Sequence, residues 1–320
     1  MNYFARLFDL MVQVMLPLSL LVAAGGVWPV VFKDVHVEAV RNELNRIVLY
    51  LFYPCIMFAV AAVTPITWNL LTVPLLNGIT VLLSGLVLYW LLYRSALGRD
   101  LADRTRAILM LGGMFGNTFN VGVPVLVFLY GADAPRYAVF NDMLMSVPFI
   151  WSIGVWICTR LGAHRSAAGQ PSVWRIMASM PPIWAFVLGV AYQQSGLHYP
   201  PIIAATSFIG QATIPAILFA LGMTIPWRQL TPRREILVTS AVKLVVTPVL
   251  TWAVAHALFA PLEEAQYAAV VEAATPAFVT LLVLASRFDL DSASAALLIG
   301  WSTILFWITL PLLMAAGIIQ

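Results

Sequence analysis

Charge is what this sequence has least of. Asp, Glu, Lys and Arg make up 10% of its 320 residues, against about 25% in a soluble protein. A soluble globule of this length could not cover its surface with so few, which excludes an ordinary cytosolic enzyme. Disorder is excluded by the opposite number, because hydrophobic residues reach 62% and a disordered chain needs few of them. The net charge of +3 is small and dispersed, so no nucleic-acid partner is implied. Cysteine is almost missing. Cys55 and Cys158 each sit in an apolar stretch, and neither a disulfide framework nor a zinc cluster follows from them. His36, His164, His198 and His256 are scattered near loops without metal-ligand spacing, and no nucleophile elbow or phosphate loop is present. No enzyme activity, cofactor or metal is therefore expected. What remains is a polytopic membrane protein.

A bilayer core about 30 Å thick takes about 20 apolar residues as helix. Runs of that kind number ten, at 8–30, 44–63, 68–93, 104–130, 135–160, 173–194, 202–225, 235–259, 262–286 and 292–317. The first is too long for the apolar part of a signal peptide and no A-x-A site follows it, so it reads as a retained span. The longest polar linker, 166–172, falls midway and separates two halves, 1–165 and 166–320. Fourteen of the seventeen Lys and Arg fall in the loops of one side, and Arg6 and Arg136 on the other. The positive-inside rule then puts both termini outside. The remaining cation, Lys243, lies within the eighth span.

The halves echo one another. Pro54-Cys55-Ile56-Met57-Phe58-Ala59 in span 2 and Pro215-Ala216-Ile217-Leu218-Phe219-Ala220 in span 7 match at four of six positions, 161 residues apart. Pro124 in span 4 and Pro276 in span 9 are 152 apart. Both pairs are separated by five spans, an odd number, so the halves insert with opposite orientation. The fold class expected is all-α, ten transmembrane helices arranged as two inverted five-helix repeats, with helices 4 and 9 broken and crossing, a layout typical of secondary transporters.

Span 4 carries Gly116-Asn117-Thr118-Phe119-Asn120-Val121-Gly122-Val123-Pro124. Pro124 removes a donor and disfavours helix before it, and Gly116 and Gly122 weaken helix on either side. Asn117 and Asn120 can bond backbone groups that lipid cannot satisfy. The expected result is two half-helices, the second starting near Pro124, with its positive end offered to an anion at mid-membrane. Span 9 repeats the device at Thr275-Pro276, with Glu272 four residues before the proline. A carboxylate or ammonium at that depth is a functional candidate by default. Glu272 and Lys243 admit two readings, a mutual structural ion pair or a proton or substrate site. Asn77 in span 3 and Asp142 in span 5 are weaker candidates, Asp142 being placed near the outer interface.

These residues resemble the auxin efflux carrier family, which includes plant auxin exporters and bacterial transporters of malonate and malate. The resemblance covers nearly the whole chain. It is most specific at 116–124 and at Glu272-Ala273-Ala274-Thr275-Pro276 running on to Ala285 and Asp289, with Leu44-Asn45-Arg46 before Pro54 and Lys243 before Pro248 as further stretches. It implies a fold like the bile-acid symporters, with a scaffold domain and a transport (crossover) domain. It also implies that a small organic anion binds where spans 4 and 9 cross and moves by an elevator mechanism in a bacterial inner membrane. Asn117 matches the asparagine that contacts substrate; Asn120, Gly122, Pro124, Thr275, Pro276 and Lys243 complete the expected substrate site. Glu272 and Asn77 are the coupling or support residues. The chain departs from plant members at both, which carry an acidic residue in place of Asn77 and often glutamine in place of Glu272. It also has no long central loop, so neither loop phosphorylation nor auxin as physiological substrate is expected. The partners implied are the anion, the lipid bilayer, a coupling proton or sodium ion, and room for a homodimer. A bile-acid-type sodium symporter and a non-transporting anion sensor are the alternatives.

Overall fold

The computed structural model describes residues 3–34, 36–161 and 173–320. The candidate linker at 166–172, with His164 and Arg165, lies outside them. Within them all regular structure is helical, as it must be where lipid offers no partner to backbone N–H and C=O. In chain order the helices are α1 (Leu7–Val31), α2 (Val37–Val63), α3 (Trp68–Tyr93), α4 (Asp103–Met114), α5 (Thr118–Tyr130), α6 (Pro135–Arg160), α7 (Pro181–Gln194), α8 (Pro200–Thr224), α9 (Arg234–Phe259), α10 (Glu264–Ala273), α11 (Leu281–Arg287) and α12 (Ser292–Ala315). A short helical segment, Val173–Ala178, precedes α7. Seven helices, α1, α2, α3, α6, α8, α9 and α12, are long and apolar enough to cross a membrane. The chain is thus a multi-pass membrane protein.

Proline shapes these helices in a consistent way. Five π-helical turns each end just before an X-Pro pair. Met11–Met15 precedes Pro17, Val48–Phe52 precedes Pro54, Thr118–Gly122 precedes Pro124, Asp142–Ser146 precedes Pro148 and Val242–Val246 precedes Pro248. A proline in a helix has no N–H to donate and its ring collides with the carbonyl four residues back. Widening the preceding turn to i→i+5 bonds moves that carbonyl away. A sixth π turn, Ile150–Gly154, has no proline after it and the sequence does not account for it.

The helices pack in two groups. The Tyr53–Val63 half of α2 lies against α7 and the Pro200–Gly210 half of α8, while the Thr213–Thr224 half of α8 lies against α1. The α1–α8 contact is backbone to backbone. A Cβ on Gly25 would stand 2.0 Å from the Phe219 carbonyl oxygen, and one on Gly222 would stand 2.0 Å from that of Val22. Small residues of this kind drive association in lipid, where apolar surface alone gives no preference for protein over lipid. In the second group α10 packs on α3 and α9, α3 on α4, α6 and α9, and α12 on α4 and the start of α9.

Candidate functional site

The second group contains two interrupted helices. Between α4 and α5 the chain leaves helix at 115–117, and between α10 and α11 it does so at 274–280. The two breaks lie side by side. Gly116 and Ala277 form an antiparallel bridge, and the Asn117 N–H donates to the Pro276 carbonyl at 2.7 Å. The Ala277 N–H donates to Ser302 Oγ of α12 at 3.1 Å. Backbone groups freed by each break are therefore satisfied by the other break or by a neighbouring hydroxyl. Gly116 makes the approach possible, since a Cβ there would fall 2.3 Å from Thr275 Oγ1 and 3.0 Å from Lys243 Nζ.

The first break is not where the sequence places it. Helix α5 begins at Thr118 rather than near Pro124, because the π turn Thr118–Gly122 carries the chain past the proline without interruption. Gly122 accordingly does not break the helix. A Cβ on it would come within 2.8 Å of Glu272 Oε1, so glycine here admits the carboxylate. Pro124 lies one turn inside α5. In the second break Thr275 caps backward, its Oγ1 donating to the Glu272 carbonyl at 2.7 Å, and Pro276 supplies the carbonyl that Asn117 uses.

Asn117 is the N-cap of α5 without capping it by its side chain. Its Oδ1 accepts from Asn120 Nδ2 at 2.7 Å. Its Nδ2 and the Oδ1 of Asn120 are buried with no partner among the described residues. An unpaired buried donor costs about 1–3 kcal/mol and calls for an explanation. Here it stands at the positive end of a helix.

Charged residues ring this point. Lys243 is 1% exposed and its Nζ donates to the Ala273 carbonyl at 2.5 Å. It thereby satisfies a carbonyl at the C-terminus of α10, where the helix dipole favours a cation. The direct ion pair with Glu272 is not formed. Ion pairs within 4.0 Å among the described residues are Arg46–Glu43, Arg104–Asp289, Arg106–Asp103 and Arg136–Glu264. Instead Lys243 and Glu272 line a common chamber of about 20 Å³ with Asn77, Thr118 and Ser146, enough for one water. Glu272 is fully buried. Its Oε2 accepts from Asn141 Nδ2 at 3.1 Å, Asn141 Oδ1 accepts from Asn77 Nδ2 at 3.2 Å, and Oε1 has no partner. Asn77, an isolated polar residue in the sequence, is thus the far end of a two-step amide relay to a carboxylate.

Asp142 is buried beside the first break. It is 8% exposed and accepts from Tyr53 Oη at 2.6 Å and from Thr118 Oγ1. Asn141, Tyr53, Thr118 and Ser302 are site residues that sequence reasoning passes over. The Asn141-Asp142 doublet in an apolar run was the signal for the first; the other three leave none. Thr118 and Asn120, Asp142, and Lys243 all lie on proline-associated π turns, where a widened helix can turn a polar side chain inward.

Two openings approach the breaks. A cleft of about 440 Å³ between α1, α8 and α12 is lined by Leu18, Val22, Leu218, Phe306 and Trp307 and reaches Val121 and Pro276. An open depression of about 570 Å³ beside Pro124 carries Asp9 and Gln13.

Comparison with known proteins places the chain among membrane transporters. Residues 10–314 match the family described as membrane transport protein. An uncharacterized transporter of Methanothermobacter thermautotrophicus is 29% identical over 282 residues, covering 86% of this chain and 88% of the relative. An uncharacterized transporter of Methanocaldococcus jannaschii is 25% identical over 275 residues, covering 82% and 83%. Both names point to transport rather than catalysis.

Proposed function

The chain belongs to the membrane transport protein family, that of the auxin efflux carriers, and on that premise we propose that it carries small organic anions across the plasma membrane by elevator-type alternating access. The observation that supports this most is the unpartnered amide donor of Asn117, buried at the positive end of α5 where two broken helices meet. A substrate carboxylate would accept from Asn117 Nδ2, with Asn120, Gly122, Pro124, Thr275 and Pro276 shaping the site. Lys243 and Glu272, backed by Asn77, are its charge-balanced support. The apolar lining of the 440 Å³ cleft favours a carboxylate with a hydrocarbon body over a compact dicarboxylate such as malonate or malate.

In this reading the seven long helices are joined by three divided crossings, α4–α5, Val173–Ala178 with α7, and α10–α11, to make ten spans in two inverted repeats. Helices α1, α2, α7 and α8 form the scaffold, and the rest, with the breaks, form the moving body. Both termini face outside. An exposed Gln229→Cys, in the Arg-rich connection between α8 and α9, should resist impermeant thiol reagents applied to intact cells, and labelling there would reverse the orientation.

Sodium coupling is the second reading, favoured by two unpartnered buried acceptors, Asn120 Oδ1 and Glu272 Oε1. The test is uptake of a panel of labelled mono- and dicarboxylates into proteoliposomes, with and without sodium and a pH gradient. Saturable accumulation supports transport. Binding of the same acids without uptake would make the protein a sensor.

A further inference from the structure

The buried cluster around the breaks holds two carboxylates, Asp142 and Glu272, and one ammonium, Lys243. If all three were charged, one negative charge would stand uncompensated away from water. That arrangement is strongly unfavourable. One carboxyl therefore holds a proton at rest, and the hydrogen-bond pattern distinguishes the two. Lys243 and Glu272 line the same chamber, which Asp142 does not. Glu272 Oε2 accepts from an amide N–H, and Oε1 has no partner among the described residues. Asp142 faces three hydroxyls, those of Tyr53, Thr118 and Ser146. A hydroxyl can donate to a carboxylate or accept from a carboxylic acid. Asp142 can therefore gain or lose a proton and keep its partners, whereas Glu272 shares its chamber with the cation that balances its charge.

We propose that Asp142 is the exchangeable proton site of this protein, and that Tyr53 carries its protonation state from the moving body to α2. The step is a proton transfer: hydronium gives H⁺ to one Asp142 oxygen, an O–H bond forms there, water is released, and the hydroxyl it faces turns from donor to acceptor. The groups facing Asp142 are few. Tyr53 on α2 and Glu272 on α10 are titratable. Thr118 on α5 and Ser146 on α6 are not, and Lys243 on α9 is the cation of the cluster. Tyr53 also packs edge-on against Phe119 with ring centroids 5.0 Å apart, so its position follows the residue two places after Asn117. Of the contacts at the break, this one bridges the two helix groups through a side chain that a proton can switch. The coupling part of the inference rests on the transport reading above; the proton site itself does not.

Infrared titration of the purified, substrate-free protein separates the two. Wild type should show the carbonyl band of a protonated carboxylic acid. That band should vanish in Asp142→Asn, shift in Tyr53→Phe, which keeps the ring packing and loses a hydroxyl partner of Asp142, and keep its position in Asn77→Leu, which disturbs only the amide relay to Glu272. A band that survives Asp142→Asn, or shifts in Asn77→Leu, overturns the assignment. If Asp142→Asn does not fold, an unshifted band in Tyr53→Phe overturns it equally. In proteoliposomes, one pH unit of gradient should drive up to about tenfold accumulation of a transported monoanion if one proton accompanies it. Asp142→Asn should exchange label at equilibrium yet accumulate none. Undiminished accumulation by that variant defeats the coupling role, while absence of uptake by wild type leaves the infrared result standing and removes the transport reading.

Discussion

The two helix groups solve opposite problems. In α1 and α2, 28% of the most apolar window is buried, and in α8 17%; in α3 and α6 the share is 56%, and in α9 and α12 50%. The lightly buried helices present Leu20, Tyr50 and Phe208 outward and hold to one another by glycine-mediated backbone contact. The heavily buried ones surround two helix breaks, two carboxylates and an ammonium, most of which are held by polar side chains and by each other. Outer helices need only apolar surface and close backbones, so they tolerate much substitution. Inner helices depend on individual atoms. Such a division suits a rigid frame beside a body whose polar contents must stay intact as it moves.

The contrast is most sharply tested at Lys243. Lys243→Met removes the donor to the Ala273 carbonyl and the only cation of the cluster, and should cost about 3–5 kcal/mol, read as a lower unfolding temperature in detergent. Adding Glu272→Gln should recover part of this and not all, because the Ala273 carbonyl stays unpaired. Full recovery would mean that charge alone matters there.

Asn117→Ala comes next. It should weaken anion binding by about 1.5–3 kcal/mol, the scale for a hydrogen bond to a charged group, with little change in unfolding temperature. Unchanged affinity in a folded variant would assign Asn117 to the architecture of the break.

The outer group should fail in one way only, by steric separation. Gly222→Val drives a branched side chain into the Val22 carbonyl and should cost about 1–3 kcal/mol, the range for overpacking. Leu20→Ala on the exposed face of α1 should stay within about 0.5 kcal/mol. Equal losses from the two would erase the distinction between contact and lipid-facing surface.

The smallest effect concerns a cap on the inner group. Asp291 receives Thr105 Oγ1 at 2.8 Å, the Ser294 N–H at 2.9 Å and Ser294 Oγ at 2.6 Å, tying the start of α12 to α4. Partial burial works against its charge, but these donors win and hold the carboxyl below its usual range. A lowered folded-state value stabilises above the ordinary carboxylate pKa, and the gain disappears as pH falls through the lowered value. Asp291→Ala should cost about 0.5–2 kcal/mol near neutrality, and the difference from wild type should close in acid. A difference that persists there would show the cap to be independent of charge.

How much of this was legible beforehand follows from cost. A carboxylate, ammonium or amide in lipid is expensive enough to be rare, so Asn117, Glu272 and Lys243 stood out in the sequence, as did both breaks. Tyr53, Thr118 and Ser302 are cheap in an apolar helix and carry no mark; their roles come from partners 89, 24 and 25 residues away that only the fold assembles, Asp142 for the first two and Ala277 for the third. The start of α5 was misplaced because a proline was taken as an interruption when a widened turn absorbed it. Of the two readings open for Lys243 and Glu272, the direct ion pair is not formed: adjacency of α9 and α10 fixes neither depth nor direction of a side chain.

Those widened turns also set how the helices should be mapped experimentally. A turn that takes in one extra residue rotates everything after it by about 100° relative to a regular helix of 3.6 residues per turn. Helix α6 has two such turns, Asp142–Ser146 and Ile150–Gly154, so its faces before and after them are out of phase by about 200°. A cysteine-accessibility scan along α6 fitted to one helical wheel would assign lipid-facing positions to the interior. Fitted as three short wheels with a slip at each turn, the same scan should resolve into a single continuous stripe.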